Sequence, residues 1–239
     1  MSNSEIWLLT LTSFSVGLIH TLLGPDHYVP FVAMAQAGNW SRRKTLCVTA
    51  WCGLGHVAGS IIIGGVGIAC GAAAIQLEGV EASRGDLAAW LLLAFGMAYL
   101  TWGLARAYVP RHQHNHPHPH SRRTEKDHAA TAEGGGQQTQ RTPQKPGTMT
   151  AWVLFVIFVL GPCEPLIPLL MYPAAQASPW AVALVVLAFV LATVATMVVA
   201  VAVLHLGLNA AIFYRLRRFS HAMAGFAVLT CGVLVKVGF

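Results

Sequence analysis

Three ionisable side chains stand close together in the stretch HTLLGPDH of this sequence. His20, Asp26 and His27 surround a Gly24-Pro25 pair, and the stretch follows an apolar run. Imidazole nitrogens combined with a carboxylate oxygen suit borderline transition metals such as nickel, cobalt, zinc or copper, whereas magnesium favours oxygen ligands alone. The residue types in this stretch therefore predict a site that binds a transition metal.

The spacing of the two histidines requires a break in the helix between them. On a continuous helix His20 and His27 would share a face but lie about 10 Å apart along the axis. Nitrogen ligands lie only about 2 Å from the ion that they share. Proline removes a backbone donor and clashes with the preceding turn, and glycine permits the compensating dihedral angles. Gly24 and Pro25 would thus either fold His27 back towards His20 or leave two successive sites.

Further embedded side chains complete the predicted site. His56 lies among glycines in the stretch GLGH, where small residues allow helices to approach closely. An ionised carboxylate at the centre of a membrane helix costs at least about 2.5 to 3.5 kcal/mol, so the acidic residues placed deep in apolar runs, Asp26 and Glu164, are expected to face an interior pathway. The predicted metal ligands are His20, Asp26, His27, His56, Cys163 and Glu164.

A polar stretch rich in histidine separates the apolar runs into two groups of three. Residues 111–147 contain much His, Gly, Gln and Pro without apolar periodicity, which predicts disorder. The stretch is either an ordinary solvated linker or a tether that raises the local concentration of metal by weak chelation. Metal capture is the favoured interpretation, by His112, His114, His116, His118, His120 and His128.

The elements that carry these side chains are predicted to be transmembrane helices. The chain has 239 residues, of which 55% are hydrophobic and 10% are charged, whereas soluble domains contain about 25% charged residues. About 20 apolar residues suffice to cross the hydrocarbon core. Six apolar runs reach that length, at about residues 6–23, 45–75, 87–108, 150–174, 179–208 and 220–239.

The first run of each half carries a similar interruption, GPDHYVP in one and GPCEPLIP in the other. Three spans per half is an odd number, so the second half would enter the bilayer in the opposite orientation. Interruptions at matching places of inverted halves indicate a midplane site in secondary transporters. The predicted fold is an all-α membrane protein of six transmembrane helices, arranged as two inverted three-helix repeats with interrupted first helices. Its domains are residues 1–109 (first repeat), 110–148 (histidine-rich cytoplasmic loop) and 149–239 (second repeat).

Basic residues lie between alternate spans, which predicts the membrane topology. They follow the first, third and fifth runs, whereas the loop after the second run, with Glu81 and Arg84, has an acidic excess and the loop after the fourth is uncharged. The positive-inside rule then places the basic loops in the cytoplasm and both termini outside. The net charge of +6 is explained without nucleic acid. The predicted location is the bacterial cytoplasmic (inner) membrane.

The motifs HTLLGPDHYVPF and GLGH resemble those of the nickel/cobalt transporter family and of the related urease accessory membrane proteins. The resemblance implies that His20, Asp26, His27 and His56 select the metal. Five residues separate His20 from Asp26 here, where the family usually has four, which changes the helical phase by about 100°. The implied function is a secondary transporter that moves nickel or cobalt, with zinc or copper as further candidates, by alternating access. The metal is then a transported substrate, and no permanent cofactor is expected.

Two other functions stay open. GPCEPLIP also resembles the Cys-Pro elements of the cytochrome c biogenesis and disulfide-reductant carriers, which predicts a membrane thiol-redox carrier that uses Cys163. Such chemistry needs two thiols that reach each other, and Cys47 or Cys52 would have to supply the second. The other alternative is a sulfur-oxyanion exporter, which would want a basic residue deep in a span. The sequence pattern places none there except Lys236, near the outer end of the last span.

The expected class is a transporter and not an enzyme. The polar segment lacks a core, and no nucleophile, base and orienting residue cluster outside the membrane. The expected partners are the lipid bilayer and the metal ion, without nucleic acid. A homodimer and a cytoplasmic metallochaperone are left open as further partners.

Overall fold

The computed structural model describes residues 2–71, 74–108, 146–176, 178–207 and 217–238. Regular secondary structure in these ranges is entirely helical, and the protein is an all-α membrane protein. The histidines predicted to capture metal between residues 112 and 128 lie outside the described residues, as does most of the predicted loop domain 110–148.

The described ranges contain α-helices and 3-10 helices. Two single-turn 3-10 helices, Pro25–His27 and Arg217–Phe219, precede the second and the last α-helix. The α-helices are α1 Asn3–Leu23, α2 Val29–Ala37, α3 Arg42–Ala69, α4 Ala74–Tyr108, α5 Pro146–Leu160, α6 Leu166–Ala175, α7 Pro179–Gly207 and α8 Ser220–Val237.

Five of these helices, α1, α3, α4, α7 and α8, are long and apolar enough to cross a membrane. The protein is therefore a multi-pass membrane protein. The fourth predicted run, residues 150–174, is not one helix, because a non-helical segment at residues 161–165 divides it into the shorter apolar helices α5 and α6.

Glycine determines how closely α4 and α8 pack. A Cβ added at Gly96 would lie 2.5 Å from the backbone nitrogen of Leu229, and one at Gly232 would lie 2.9 Å from that of Leu93. Small residues let helix backbones approach in a membrane, where dispersion forces and not the hydrophobic effect drive helix association. This close pair forms one side of the helical bundle.

The helix α1 packs mainly against α7. Ser13 is fully buried, and its hydroxyl donates a hydrogen bond of 2.8 Å to the carbonyl oxygen of Val185. Gly17 lies against the backbone of Phe189, where a Cβ would meet the carbonyl oxygen at 3.2 Å. These contacts position the end of α1, which carries His20.

The third span begins earlier than the sequence indicates. The apolar pattern predicts that this span begins near residue 87 and that Glu81 and Arg84 lie in an outer loop. In the structure α4 begins at Ala74 and includes both residues. Glu81 is fully buried. A hydropathy pattern counts each charged side chain as a break, whereas two charges that pair inside the protein are compatible with a continuous helix.

Candidate functional site

The break after α1 turns the chain so that two histidines meet. Gly24 ends the helix in an extended conformation (φ −85°, ψ 96°), and its amide donates to the carbonyl oxygen of His20 at 3.1 Å. Pro25 then begins the 3-10 turn that ends at His27. The ring centroids of His20 and His27 lie 4.9 Å apart. Of the two arrangements that the sequence left open, the structure has the one in which His27 folds back.

His56 joins this pair from the middle of α3. Its ring centroid lies 5.1 Å from that of His27. One ring nitrogen of each of the three histidines lies within 4.8 Å of those of the other two. His27 and His56 are each only 3% exposed. We call His20, His27 and His56 the histidine trio.

The Nδ1 atoms of two rings face acceptors. His27 Nδ1 lies 3.2 Å from the carbonyl oxygen of Gly24 and 3.2 Å from Oδ1 of Asp26. His56 Nδ1 lies 3.3 Å from the carbonyl oxygen of Phe158. A carbonyl or carboxylate oxygen can only accept, so these Nδ1 atoms carry the hydrogen and the neutral rings keep a lone pair on Nε2.

The three Nε2 atoms of the trio are buried and have no hydrogen-bond partner within the described part of the chain. Buried polar atoms are nearly always paired, so a group of unpaired ones requires an explanation. Glycine makes this convergence possible: a Cβ at Gly161 would lie 3.0 Å from His56 Nδ1.

The remaining predicted ligands are not part of the cluster of ring nitrogens. Asp26 is bonded to His27, as described above, and its side chain is 22% exposed. Glu164 is exposed. Cys163 is fully buried and packs with Val57 and Leu166 in an apolar cluster. The predicted six-residue site is therefore three clustered histidines, one carboxylate that orients a histidine, and two side chains outside the cluster.

A cavity of about 730 Å³ joins the two interrupted segments. Its lining includes the trio together with Asp26 and Glu164. Asp86 and Lys236, which form an ion pair, also line it. The cavity thus connects the buried imidazoles with a pair of more exposed charges.

A buried polar network that sequence reasoning missed holds the second break. Glu81 Oε2 accepts hydrogen bonds from the hydroxyl of Ser60 at 2.9 Å and from the backbone amide of Cys163 at 3.0 Å. Arg84 forms an ion pair with Glu81. Glu81 and Arg84 are three positions apart, a spacing that places opposite charges side by side on a helix. This spacing was the feature of the sequence from which the ion pair could have been predicted.

The guanidinium of Arg84 also binds the end of α5. Its Nη2 donates to the carbonyl oxygens of Val159 at 2.8 Å and of Gly161 at 3.2 Å. The last carbonyls of a helix lack intrahelical partners, so a fork of N–H donors satisfies them. Contrary to the sequence pattern, a basic side chain that is only 13% exposed thus lies within the third span.

Comparison with known proteins decides the family. The family described as the cytochrome C biogenesis protein transmembrane region matches residues 28–234. The chain belongs to this family. No curated protein and no solved structure matches the chain.

Membership in the cytochrome c biogenesis family corrects the sequence interpretation. The assignment to nickel/cobalt transporters or urease accessory proteins was wrong, and so was the function derived from it, transport of nickel or cobalt by alternating access. That assignment rested on short motifs with an altered spacer, whereas the family match extends over most of the chain. The alternative of a membrane thiol-redox carrier agrees better with the family.

Proposed function

We propose that this chain is a membrane thiol-redox carrier of the cytochrome c biogenesis family, with Cys163 as the exchanging thiol. The observation that supports it most directly is the position of Cys163 in the non-helical segment between α5 and α6 of a chain that belongs to this family. Cys163 is a free cysteine. Pro162 and Glu164, on either side of it, line the central cavity.

The non-helical segment suits a thiol that must become accessible. Movement of residues 161–165 would uncover the buried sulfur without breaking the hydrogen bonds of a helix interior. The network of Glu81, Arg84 and Ser60 holds the segment in its closed position through the Cys163 amide and the end of α5. Exchange then requires that this network release the segment.

The second thiol comes from a partner protein in this proposal. Ser60 shares Glu81 with the Cys163 amide, and Cys52 precedes Ser60 by eight residues, which is about 12 Å along a helix. Disulfide formation needs Cα atoms within about 7 Å. Cys52 also belongs to a different apolar cluster, with Phe158. Cys52 is thus not positioned to form a disulfide with Cys163.

The bonds and electrons of the exchange balance when two partner proteins take part, an oxidised acceptor and a dithiol donor. The Cys163 thiolate attacks the disulfide of an oxidised acceptor, forms a mixed disulfide and releases the acceptor's other sulfur as a thiolate that takes up a proton. A thiolate of a dithiol donor then attacks the Cys163 sulfur and releases the reduced acceptor. The donor's second thiolate closes the donor disulfide and frees Cys163. Two electrons pass from donor to acceptor, and Cys163 is regenerated.

We further propose that the chain crosses the membrane six times as two inverted repeats. In this arrangement α1 with α2 and α5 with α6 each form one interrupted crossing. The contacts support it, because they map onto one another when the halves are exchanged: α1–α7 corresponds to α5–α3, α2–α8 to α6–α4, and α2–α3 to α6–α7. The pairs α3–α7 and α4–α8 map onto themselves.

The proposed location is the cytoplasmic membrane of a bacterium, with both termini outside and the histidine-rich loop inside. The alternation of basic and non-basic connections supports this orientation. The partners in this proposal are the lipid bilayer and dithiol proteins on its two sides. The chain passes electrons between them through Cys163.

The test replaces Cys163 with serine in the native host and measures c-type cytochrome content. Cys163→Ser should lower it as far as deletion of the whole gene does, and trapping with an alkylating agent should detect a mixed disulfide in the wild type alone. Cys231→Ser is the matched control, since Cys231 is also buried. Normal cytochrome content in Cys163→Ser would refute the proposal.

A further inference from the structure

The histidine trio has no role in the thiol exchange, and its geometry calls for a separate ligand. We propose that His20, His27 and His56 bind a resident divalent first-row transition ion such as zinc, with the fourth coordination position open to the central cavity. The ion stays in place and is not transported. The site is thus distinct from the proposed Cys163 chemistry.

The unpaired nitrogens are the first argument. A buried donor or acceptor without a partner destabilises the folded protein, because its hydrogen bonds to water are lost and not replaced. Three buried Nε2 atoms without a partner among the described residues come from three separate positions of the fold, two of them on either side of one helix break. A single cation accepts all three lone pairs at once, whereas a hydrogen bond between two of the rings would leave the third unpaired.

The distances are the second argument. Zinc–nitrogen bonds of about 2.0 to 2.1 Å in tetrahedral geometry place ligand nitrogens about 3.4 Å apart. One ring nitrogen of each histidine of the trio lies within 4.8 Å of those of the other two. The widest pair is therefore at most about 1.4 Å farther apart than in a zinc site.

The hydrogen bonds behind the rings are the third argument. Metal-binding histidines usually donate their other N–H to a carboxylate or a backbone carbonyl, which fixes the tautomer and the ring orientation. Asp26 and the Gly24 carbonyl do this for His27, and the Phe158 carbonyl does it for His56. The Asp26 carboxylate also interacts electrostatically with all three rings, so it offsets part of the charge of a divalent ion.

The donor set decides the class of ion. Neutral imidazoles suit zinc, copper, cobalt and nickel, whereas calcium and magnesium prefer oxygen ligands. The cluster consists of His20, His27 and His56, without a cysteine, so a thiolate-seeking ion has no advantage there. Three protein ligands with an open fourth position leave room for a water molecule or a group of a bound partner.

The test measures metal binding by the purified full-length protein. The six loop histidines, residues 112–128, are first replaced with asparagine so that they cannot contribute. After removal of metals with a chelator, cobalt(II) is added as a spectroscopic substitute. We expect one cobalt per chain with the intense visible band of a tetrahedral site, which zinc then displaces.

Variants identify the ligands. His27→Gln and His56→Gln should abolish the band, and Asp26→Asn should weaken binding about 10- to 100-fold. His205→Gln is the matched control and should bind cobalt like the parent. His205 also has a buried ring nitrogen without a hydrogen-bond partner among the described residues, but it lies outside the trio. Gel filtration in detergent shows whether each ligand variant folds. If one does not, the cobalt affinities of Asp26→Asn and His205→Gln, compared with that of the parent, still show whether the metal site exists.

Absence of stoichiometric cobalt binding in the parent would overturn the proposal and leave the trio as a metal-free imidazole cluster. So would equal affinity of the parent and the Asp26→Asn variant. Cys163→Ser should keep full cobalt binding. A failed metal test therefore leaves the thiol-redox function standing, and a failed cytochrome test leaves the metal site standing.

Discussion

Glu81 Oε2 and the backbone amide of Cys163 form a hydrogen bond of 3.0 Å between α4 and the break that separates α5 from α6. The two residues are 82 positions apart in the sequence. The bond links a buried carboxylate, assigned to a loop by sequence pattern, to the cysteine on which the proposed function depends. Together with the bonds from Arg84 to the carbonyl oxygens of Val159 and Gly161, it connects the two halves at the second break.

Replacing Glu81 with alanine should destabilise the protein and expose Cys163. The substitution leaves the Arg84 guanidinium without its ion-pair partner, which typically costs about 3 to 5 kcal/mol when a buried pair is broken. Thermal unfolding in detergent would measure the loss of stability, and the alkylation rate of Cys163 would measure its exposure. Glu78→Ala is the control, because Glu78 is exposed one turn earlier. Equal behaviour of both variants would contradict a structural role of the network.

Replacing Gly225 with alanine should separate α4 from α8. A Cβ at Gly225 would collide with the backbone of Leu100, and such overpacking typically costs about 1 to 3 kcal/mol. Gly65→Ala should be neutral or slightly stabilising, since no atom lies within 4 Å of its added Cβ and alanine favours a helix by about 1 kcal/mol. The melting temperatures of both variants test whether α4 and α8 pack closely at Gly225. A lower melting temperature for Gly65→Ala than for Gly225→Ala would disprove this close packing.

Replacing Gly24 with alanine should disturb the histidine trio without unfolding the bundle. The added Cβ would lie 2.5 Å from His27 Nδ1 and 2.8 Å from Asp26 Oδ1, so the ring and its carboxylate partner must move. Cobalt affinity should fall about 10- to 100-fold, as for loss of a group that orients a ligand. Gly79→Ala, whose Cβ meets no atom within 4 Å, should bind cobalt normally. Unchanged affinity in Gly24→Ala would mean that the orientation of His27 is not required.

A membrane-impermeant maleimide should label Cys70 in intact cells. Cys70 is exposed and caps the end of α3, which the proposed topology places outside. Labelling should disappear in Cys70→Ser. A cysteine introduced at Ser41, the exposed N-cap of the same helix, should react in the Cys70→Ser protein only after the membrane is permeabilised. The reverse pattern would invert the proposed topology.

The two interrupted segments could be predicted from local chemistry, and the family could not. Gly-Pro pairs break a helix wherever they occur, so the breaks after Leu23 and Leu160 needed no knowledge of distant residues. The motif around His20 and His27 spans only a few residues, however, and such a short match led to the wrong family. The match that shows the correct family extends over residues 28–234.

The buried charges illustrate what pattern reading misses. Among the acidic residues, Asp26 and Glu164 were placed deep in the membrane and Glu81 in a loop. In the structure Glu81 is fully buried and Glu164 is exposed. Burial of a carboxylate depends on whether a cation and hydrogen-bond donors lie within reach. Arg84 lies on the same helix, but Ser60 and the Cys163 amide come from elsewhere in the chain.

By itself, the amino-acid sequence determined that this chain is a helical, multi-pass membrane protein with proline-interrupted segments, because hydropathy and helix breaking act over neighbouring residues. Only the tertiary structure decided that His56 joins His20 and His27 and that Glu81 holds Cys163. Those relationships arise where helices distant in sequence pack together, and a burial pattern along one segment does not specify which partner will face it.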